Sequence, residues 1–198
     1  MSEQPYHKYI FDAKNRAFLG RFEEMYAHED IEHYDSWFQD DLSHVGRQMC
    51  TLIINQKSFT SILDIGCGKG AFTNLLKKNS ARLLGVDISK TAIEKARGRY
   101  PDIDFRCLTA EQALNGNNMW DLVVFIETLS YLEHWKEIIQ KAAGRSLSLF
   151  VSLYIPPAPI GFVKSFEELR AEVSRYFKIQ TEIIFNRETI LMMASRMH

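Results

Sequence analysis

From residue 61 onward, short apolar runs alternate with segments whose apolar residues recur every three or four positions. That alternation predicts a parallel β-sheet covered by helices on both faces. Residues 61–65 and 82–86 read as buried strands, followed by helices over 71–78 and 90–97, the second stopped by Gly98 and Pro101. Residues 103–108 are predicted as the third strand, and Asn115-Gly116-Asn117-Asn118 as a loop by its turn chemistry. A continuous apolar strand over 121–126 leads to an amphipathic helix over 131–143, stopped at Gly144, and to a fifth strand over 147–154. Residues 166–177 read as helical. The runs 178–184 and 189–194, joined by Phe185-Asn186-Arg187-Glu188, read as an antiparallel hairpin.

The residues before position 57 do not belong to this alternation. Leu42, Val45, Met49 and Ile53 fall at helical spacing, which predicts a helix over 37–56 docked on the sheet. Residues 6–22 are aromatic-rich with several charges. Ligands of such sheets bind beyond the strand C-termini, so residues 6–37 are expected to fold over that end as a cap. The expected organisation is a single domain over 1–198, with a helical cap over 1–56 and a ligand-binding core over 57–198.

Composition narrows the classes. The chain has 198 residues, 46% hydrophobic and 25% charged, which suits one soluble domain with a full core. With 24 basic and 25 acidic residues the net charge is -1, so no field favours nucleic acid or an anionic membrane. Lys77-Lys78 and Arg97 to Arg99 read as solvated helix faces. Cys50, Cys67 and Cys107 are odd in number and lack metal spacing, so no metal site is expected and a reducing compartment is. Residues 1–10 hold no apolar leader core and no run reaches 18 apolar residues; a cytoplasmic protein is expected, monomeric or homodimeric.

The candidate chemistry begins at Leu63-Asp64-Ile65-Gly66-Cys67-Gly68-Lys69-Gly70. Gly66 and Gly68 let the backbone turn and approach a ligand more closely than a side chain allows. Asp87 closes the next strand, where a carboxylate can accept both hydroxyls of a ribose. The glycines also satisfy a dinucleotide pattern, with Ala71 as its permitted last residue. Asp64 decides between the two: a carboxylate at the strand tip repels a pyrophosphate and attracts a cationic ammonium group.

On these residues the chain resembles the class I S-adenosylmethionine-dependent methyltransferases, in order from about residue 62 to 193. The resemblance implies a Rossmann-like, doubly wound, mostly parallel seven-stranded sheet with an antiparallel C-terminal hairpin strand, and S-adenosyl-L-methionine as cofactor. It assigns the methionine and ribose to Asp64, Gly66 and Gly68, the ribose hydroxyls to Asp87, and the adenine to Ile88, with Cys67 in the loop counted in the cofactor set. Phe105-Arg106-Cys107-Leu108-Thr109-Ala110-Glu111 resembles the third-strand motif, adding Ala110 and Glu111 to the cofactor set. Trp120 to Leu129 resembles the fourth and adds Ile126. The family often has Asp where this chain has Thr109; a hydroxyl or a backbone carbonyl can replace that contact.

Methyl transfer from a sulfonium is an in-line displacement that needs alignment, and a base only when the acceptor is protonated. Glu127 at the fourth strand's tip is a candidate to orient the acceptor or take its proton, and Tyr131 to line its pocket. Equally, Glu127 can simply tie down the loop. His134 reads as a surface residue. Tyr34 and Trp37, with Phe38 and flanking Asp35, Asp40 and Asp41, suit a sugar or amine acceptor; the competing reading is a capped helix start with Trp37 in the core. Tyr154 ends the fifth strand and joins the acceptor candidates. The stiff loop Ile155-Pro156-Pro157-Ala158-Pro159-Ile160-Gly161-Phe162 reads either as a wall of that site or as a rigid connection. Cys67 reads as a packing residue within the loop. A faint likeness to nodulation-factor sugar N-methyltransferases points toward a small polar acceptor such as an aminosugar. The alternatives are a non-catalytic S-adenosylmethionine-binding module and a nicotinamide (NAD) oxidoreductase.

Overall fold

The computed structural model describes residues 4–197, the side chain of Asn79 excepted. Met1 to Glu3, the start of the stretch read above for a leader, lie outside the described residues. Nine strands and eight α-helices are described. In chain order they are α1 (His7–Ile10), β1 (Phe11–Asp12), β2 (Ala17–Phe18), α2 (Phe22–Glu32), α3 (Val45–Ile54), β3 (Phe59–Ile65), α4 (Ala71–Leu76), β4 (Ser80–Asp87) and α5 (Lys90–Arg99). Then follow β5 (Asp104–Cys107), α6 (Ala110–Leu114), β6 (Trp120–Ile126), α7 (Trp135–Arg145), β7 (Ser146–Tyr154), α8 (Phe166–Val173), β8 (Phe177–Phe185) and β9 (Thr189–Arg196).

The main sheet has seven strands in the order β5-β4-β3-β6-β7-β9-β8. The first five are parallel, β9 runs antiparallel beside β7, and β8 at the edge pairs antiparallel with β9 and so points the same way as the first five. Period-two alternation inside the apolar runs sends side chains to two cores. Leu63, Val123, Phe125 and Leu149 pack with Trp135, Ile138 and Leu169 from α7 and α8. Ile62, Leu122, Val124 and Phe150 pack with Cys50, Ile53 and Ile54 of α3 and with Phe72 and Leu76 of α4. The expected doubly wound, mostly parallel sheet with a C-terminal hairpin is therefore present.

Several boundaries differ from the sequence reading, each for a local reason. The helix expected over 37–56 begins only at Val45, because Trp37 and Phe38 adopt left-handed φ values of 60° and 49°. There the Asp35 carboxylate takes the N–H groups of Gln39 and Asp40 at 3.1 and 2.9 Å, a turn that competes with helix. The helix expected from residue 131 starts at Trp135, after a 3₁₀ turn at Leu129–Tyr131. Gly98 and Gly144 lie inside α5 and α7 rather than beyond them; both are open to space, and an exposed helical glycine costs only about 1 kcal/mol. The last helix stops at Val173, since Phe177 is already paired with Arg196 in the sheet. α2 escaped notice because its sequence carries no apolar stripe; only Met25, Tyr26 and Glu29 of it are buried.

Candidate functional site

The strand order positions the site. After β3 the chain continues toward β4 on one side, and after β6 toward β7 on the other, so the segments following β3 and β6 flank a crevice at the strand C-termini. The segment after β3 is the glycine loop. Its Gly66 and Cys67 N–H groups both donate to the Val86 carbonyl, at 2.8 and 3.0 Å, which pins the loop to β4. Gly66 and Gly68 have φ of 79° and 53°, and neither has room for a Cβ. One on Gly66 would lie 2.3 Å from Thr128 Oγ1, across the crevice; one on Gly68 would lie 2.4 Å from Gln39 Nε2 and 2.7 Å from Tyr26 Oη.

Asp87 ends β4 beside this loop. Its two oxygens accept the Gly68 N–H at 3.0 Å and the Ser89 N–H at 2.9 Å. Burial raises its pKa, and those backbone bonds oppose the rise. Asp64 lies beneath the loop, 2% exposed, and accepts the Thr73 hydroxyl at 2.6 Å. Burial pushes its pKa up to about 7, with the Thr73 bond opposing and the Asp87 charge adding. Its direct contact is thus α4, and its influence on a ligand in the crevice acts through the field.

The remaining expected cofactor residues lie in the glycine loop itself or at and just beyond the C-terminal ends of β4, β5 and β6. Cys67 Sγ packs against Gly85, 3.1 Å from where a Cβ would stand there. Ile88 projects beyond β4, exposed. Ala110 opens α6, with Glu111 half-buried beside it. The Thr109 hydroxyl accepts the Gln112 N–H at 3.2 Å, and Gln112 Oε1 accepts the Thr109 N–H at 2.9 Å. This capping box orients the hydroxyl suggested above as a replacement ligand contact and uses one of its lone pairs, and its T-x-x-Q spelling is the signal that could have revealed α6. The Ile126 carbonyl accepts Thr128 Oγ1 at 2.9 Å.

Glu127 follows β6 with a left-handed φ of 55°. That twist aims its carboxylate back at β7, where Oε1 accepts the Ser152 hydroxyl and Oε2 the Tyr154 N–H, both at 2.6 Å. Burial raises its pKa, and those two bonds oppose the rise. Tyr131 sits in an aromatic cluster built largely by the N-terminal arm, residues 6–41. Its ring stacks on Phe18 at 5.9 Å and lies 5.4 Å from both Phe22 and Trp37. Phe18 also meets Phe162 edge-on at 5.3 Å, and the Arg16 guanidinium donates to the Ala158 carbonyl, so the proline loop touches the arm. Tyr34 lies behind this cluster, 5.8 Å from Tyr6, its hydroxyl donating to the Met25 carbonyl at 2.5 Å. Tyr154 joins the site through its N–H to Glu127, and burial helps push its own hydroxyl up to about 12. His134 is exposed at the start of α7.

The sequence reading missed the residues that hold the arm down. Lys69, inside the glycine loop, is 1% exposed, and its ammonium contacts Glu29 at 2.8 Å, Asp35 at 2.7 Å and Asp40 at 3.4 Å. Lys95 adds a second cation on Glu29 at 2.8 Å. Glu23 accepts the Ser89 and Thr91 hydroxyls at 2.6 Å each. The only trace in the sequence was a lysine between two glycines. Among the described residues no group of three or more His, Cys, Asp or Glu is arranged to hold a metal ion, and no helix is long and apolar enough to cross a membrane.

Residues 62–146, the stretch containing the glycine loop, Asp87 and Glu127, match the family model described as a methyltransferase domain. The chain is 31% identical over 112 residues to malonyl-[acyl-carrier protein] O-methyltransferase of Acetivibrio thermocellus, covering 54% of this chain and 39% of that protein. It is 32% identical over 126 residues to nodulation protein S of Bradyrhizobium diazoefficiens, covering 62% and 57%. It thus spans about two fifths to just over half the length of these relatives. Its fold matches the crystal structure of the N-methyltransferase NodS from Bradyrhizobium japonicum in complex with S-adenosyl-L-homocysteine, with a TM-score of 0.66, 20% identity, and coverage of 77% and 86%.

Proposed function

We propose that this chain, whose residues 62–146 match the methyltransferase-domain model, binds S-adenosylmethionine in the crevice between β3 and β6 and methylates a nitrogen or oxygen of a small polar acceptor. The observation that carries this reading is a coincidence of place. The family match covers the residues that the strand order gathers at the sheet's C-terminal edge: a left-handed glycine loop, and a carboxylate ending the neighbouring strand. The donor set suits an adenosine with an amino-acid tail. Asp87 keeps a second lone pair on each oxygen for ribose hydroxyls, Ile88 offers an apolar face for a base, and the loop permits close approach.

When bound, this cofactor supplies a methyl group on a sulfonium, and the protein's task is alignment, worth on the order of 7 to 11 kcal/mol. In this reading Asp87 and the glycine loop fix the cofactor, and the arm's aromatic rings with Tyr131 exclude water. Glu127, held by Ser152 and Tyr154, orients the acceptor or takes its proton. Tyr34, Trp37 and Tyr154 are the proposed acceptor contacts. The relatives' names include both N- and O-methyltransferases, so the acceptor atom is left as nitrogen or oxygen; the likeness to NodS supports testing aminosugars first.

Calorimetric titration with S-adenosylhomocysteine and with NADH tests the cofactor. Binding of the first and not the second is expected, with Asp87→Ala weakening it by about 1 to 3 kcal/mol. Binding of NADH alone overturns the reading. Transfer of a deuterated methyl group, followed by mass spectrometry across aminosugars and other polar acceptors, tests the chemistry. One observation favours a second reading, a non-catalytic binding module: both Glu127 oxygens are already engaged by the protein. Tight cofactor binding without transfer across that panel would favour it.

A further inference from the structure

The crevice face of the glycine loop is covered by two polar side chains from the arm, and their geometry has the form of a carboxylate site. Gln39 Oε1 accepts the Lys69 backbone N–H at 2.7 Å, and its Nε2 donates to Tyr26 Oη at 2.7 Å. This carboxamide lies directly over Gly68, the residue whose N–H is held on its other partner by Asp87. A carboxamide has the size and planarity of a carboxylate. As a neutral group, though, it uses only one of the two donors available here, because its own NH₂ must point at the phenol oxygen. A carboxylate in the same place accepts from both the Lys69 N–H and the Tyr26 hydroxyl, and charge makes each bond stronger.

We propose that the Lys69 N–H and the Tyr26 hydroxyl form the subsite for the cofactor's α-carboxylate, and that the Gln39 carboxamide holds that place until the cofactor displaces it. The proposal rests on the cofactor reading above. It puts the two ends of the ligand on either side of Gly68, ribose hydroxyls on Asp87 and amino-acid tail on Lys69 and Tyr26. It also accounts for the condition of the segment that carries Gln39. Trp37 and Phe38 are bulky residues held in left-handed backbone conformations, and the Ser36 hydroxyl is buried without a hydrogen-bond partner among the described residues. Displacement asks only that the Gln39 side chain swing out, while Asp35 and Asp40 stay on Lys69.

The test compares two probes by calorimetry: S-adenosylhomocysteine, which has the tail, and 5′-methylthioadenosine, which lacks it. Tyr26→Phe, which keeps the ring, is expected to weaken the first roughly 5- to 20-fold and leave the second unchanged. Gln39→Ala is expected to tighten the first about 3- to 10-fold by vacating the subsite, again sparing the second. Gln39→Glu places a competing negative charge there, and should weaken only the tailed ligand, by more than about 10-fold. Equal thermal midpoints for parent and variants secure the comparison. If the variants shift both probes in parallel, or shift neither, the subsite is overturned while the cofactor assignment stands. If the parent binds neither probe, the cofactor reading itself fails and the subsite with it.

Discussion

Six carboxylates of the crevice and its cover divide by region: all are raised by burial, but the donors around them leave the two groups with opposite acidities. Asp64, Asp87 and Glu127, at or just beyond the strand ends, have raised pKa values: burial dominates, and the hydroxyl and backbone N–H donors around them do not offset it. Burial also raises Glu23, Glu29 and Asp40 on the arm, but there donors win. Ser89 and Thr91 hold Glu23, Lys69 and Lys95 hold Glu29, and Arg99 holds Asp40, so all three end below the usual range. The sheet is secured by apolar side chains and tolerates acids with raised pKa at its edge. The arm is secured by charge and aromatic contact, a fastening that ligand, salt and pH can each loosen.

The largest effect expected from breaking this contrast is in the sheet. Phe150 is fully buried among Ile54, Ile62 and Leu122, and Phe150→Ala should cost about 3 to 5 kcal/mol in urea unfolding. A loss under about 1 kcal/mol would mean that the core is not the main fastening. Lys69→Met removes the buried cation and leaves Glu29 with Lys95 and the Ser36 N–H. It should release the arm by about 3 kcal/mol or more. Hydrogen exchange should then rise over residues 22–41 and stay unchanged in β6 and β7; a uniform rise would show that the arm does not open on its own.

The pH dependence sharpens the comparison. Asp64 moves from an ordinary 3.8 to about 7 on folding, so its contribution is fully present below pH ~4 and is lost as pH rises through 7. The loss amounts to at most roughly 4 kcal/mol, and Asp64→Asn should flatten that part of the stability profile. The lowered acids of the arm carry the reverse sign: their contribution is present above the ordinary carboxylate range and is lost on acidification. Falling pH should therefore loosen the arm, read by Trp37 fluorescence, before the sheet unfolds. The smallest effect is expected from Arg99→Ala. Its partner Asp40 and Arg99 itself are exposed, and the change should be under about 1 kcal/mol and vanish in high salt.

Much of the fold was legible because its determinants are local. The runs at 61–65, 121–126 and 147–154 are apolar over strand length, and a strand buried on both faces leaves little alternative. The glycine loop was legible because backbone turns select residue type directly. The cap was legible only as a location. Its helix α2 has no apolar stripe to read, and its aromatic cluster assembles rings from Phe11, Phe18, Phe22 and Trp37 with Tyr131, more than 90 positions away. Asp64 was legible as an acid at a strand tip, but not as one bonded to Thr73 and raised toward neutrality.

The amino-acid sequence alone thus determined the layered α/β sheet, its terminal hairpin and the glycine turn and acid that end its first two core strands, because hydrophobic period and turn chemistry act over a few residues. Only the tertiary structure decided which groups face one another there: Lys69 enclosed by Glu29, Asp35 and Asp40, Gln39 and Tyr26 laid over Gly68, and Glu127 bonded to β7. Charge pairing and desolvation depend on distance in space, and chain order does not encode that distance.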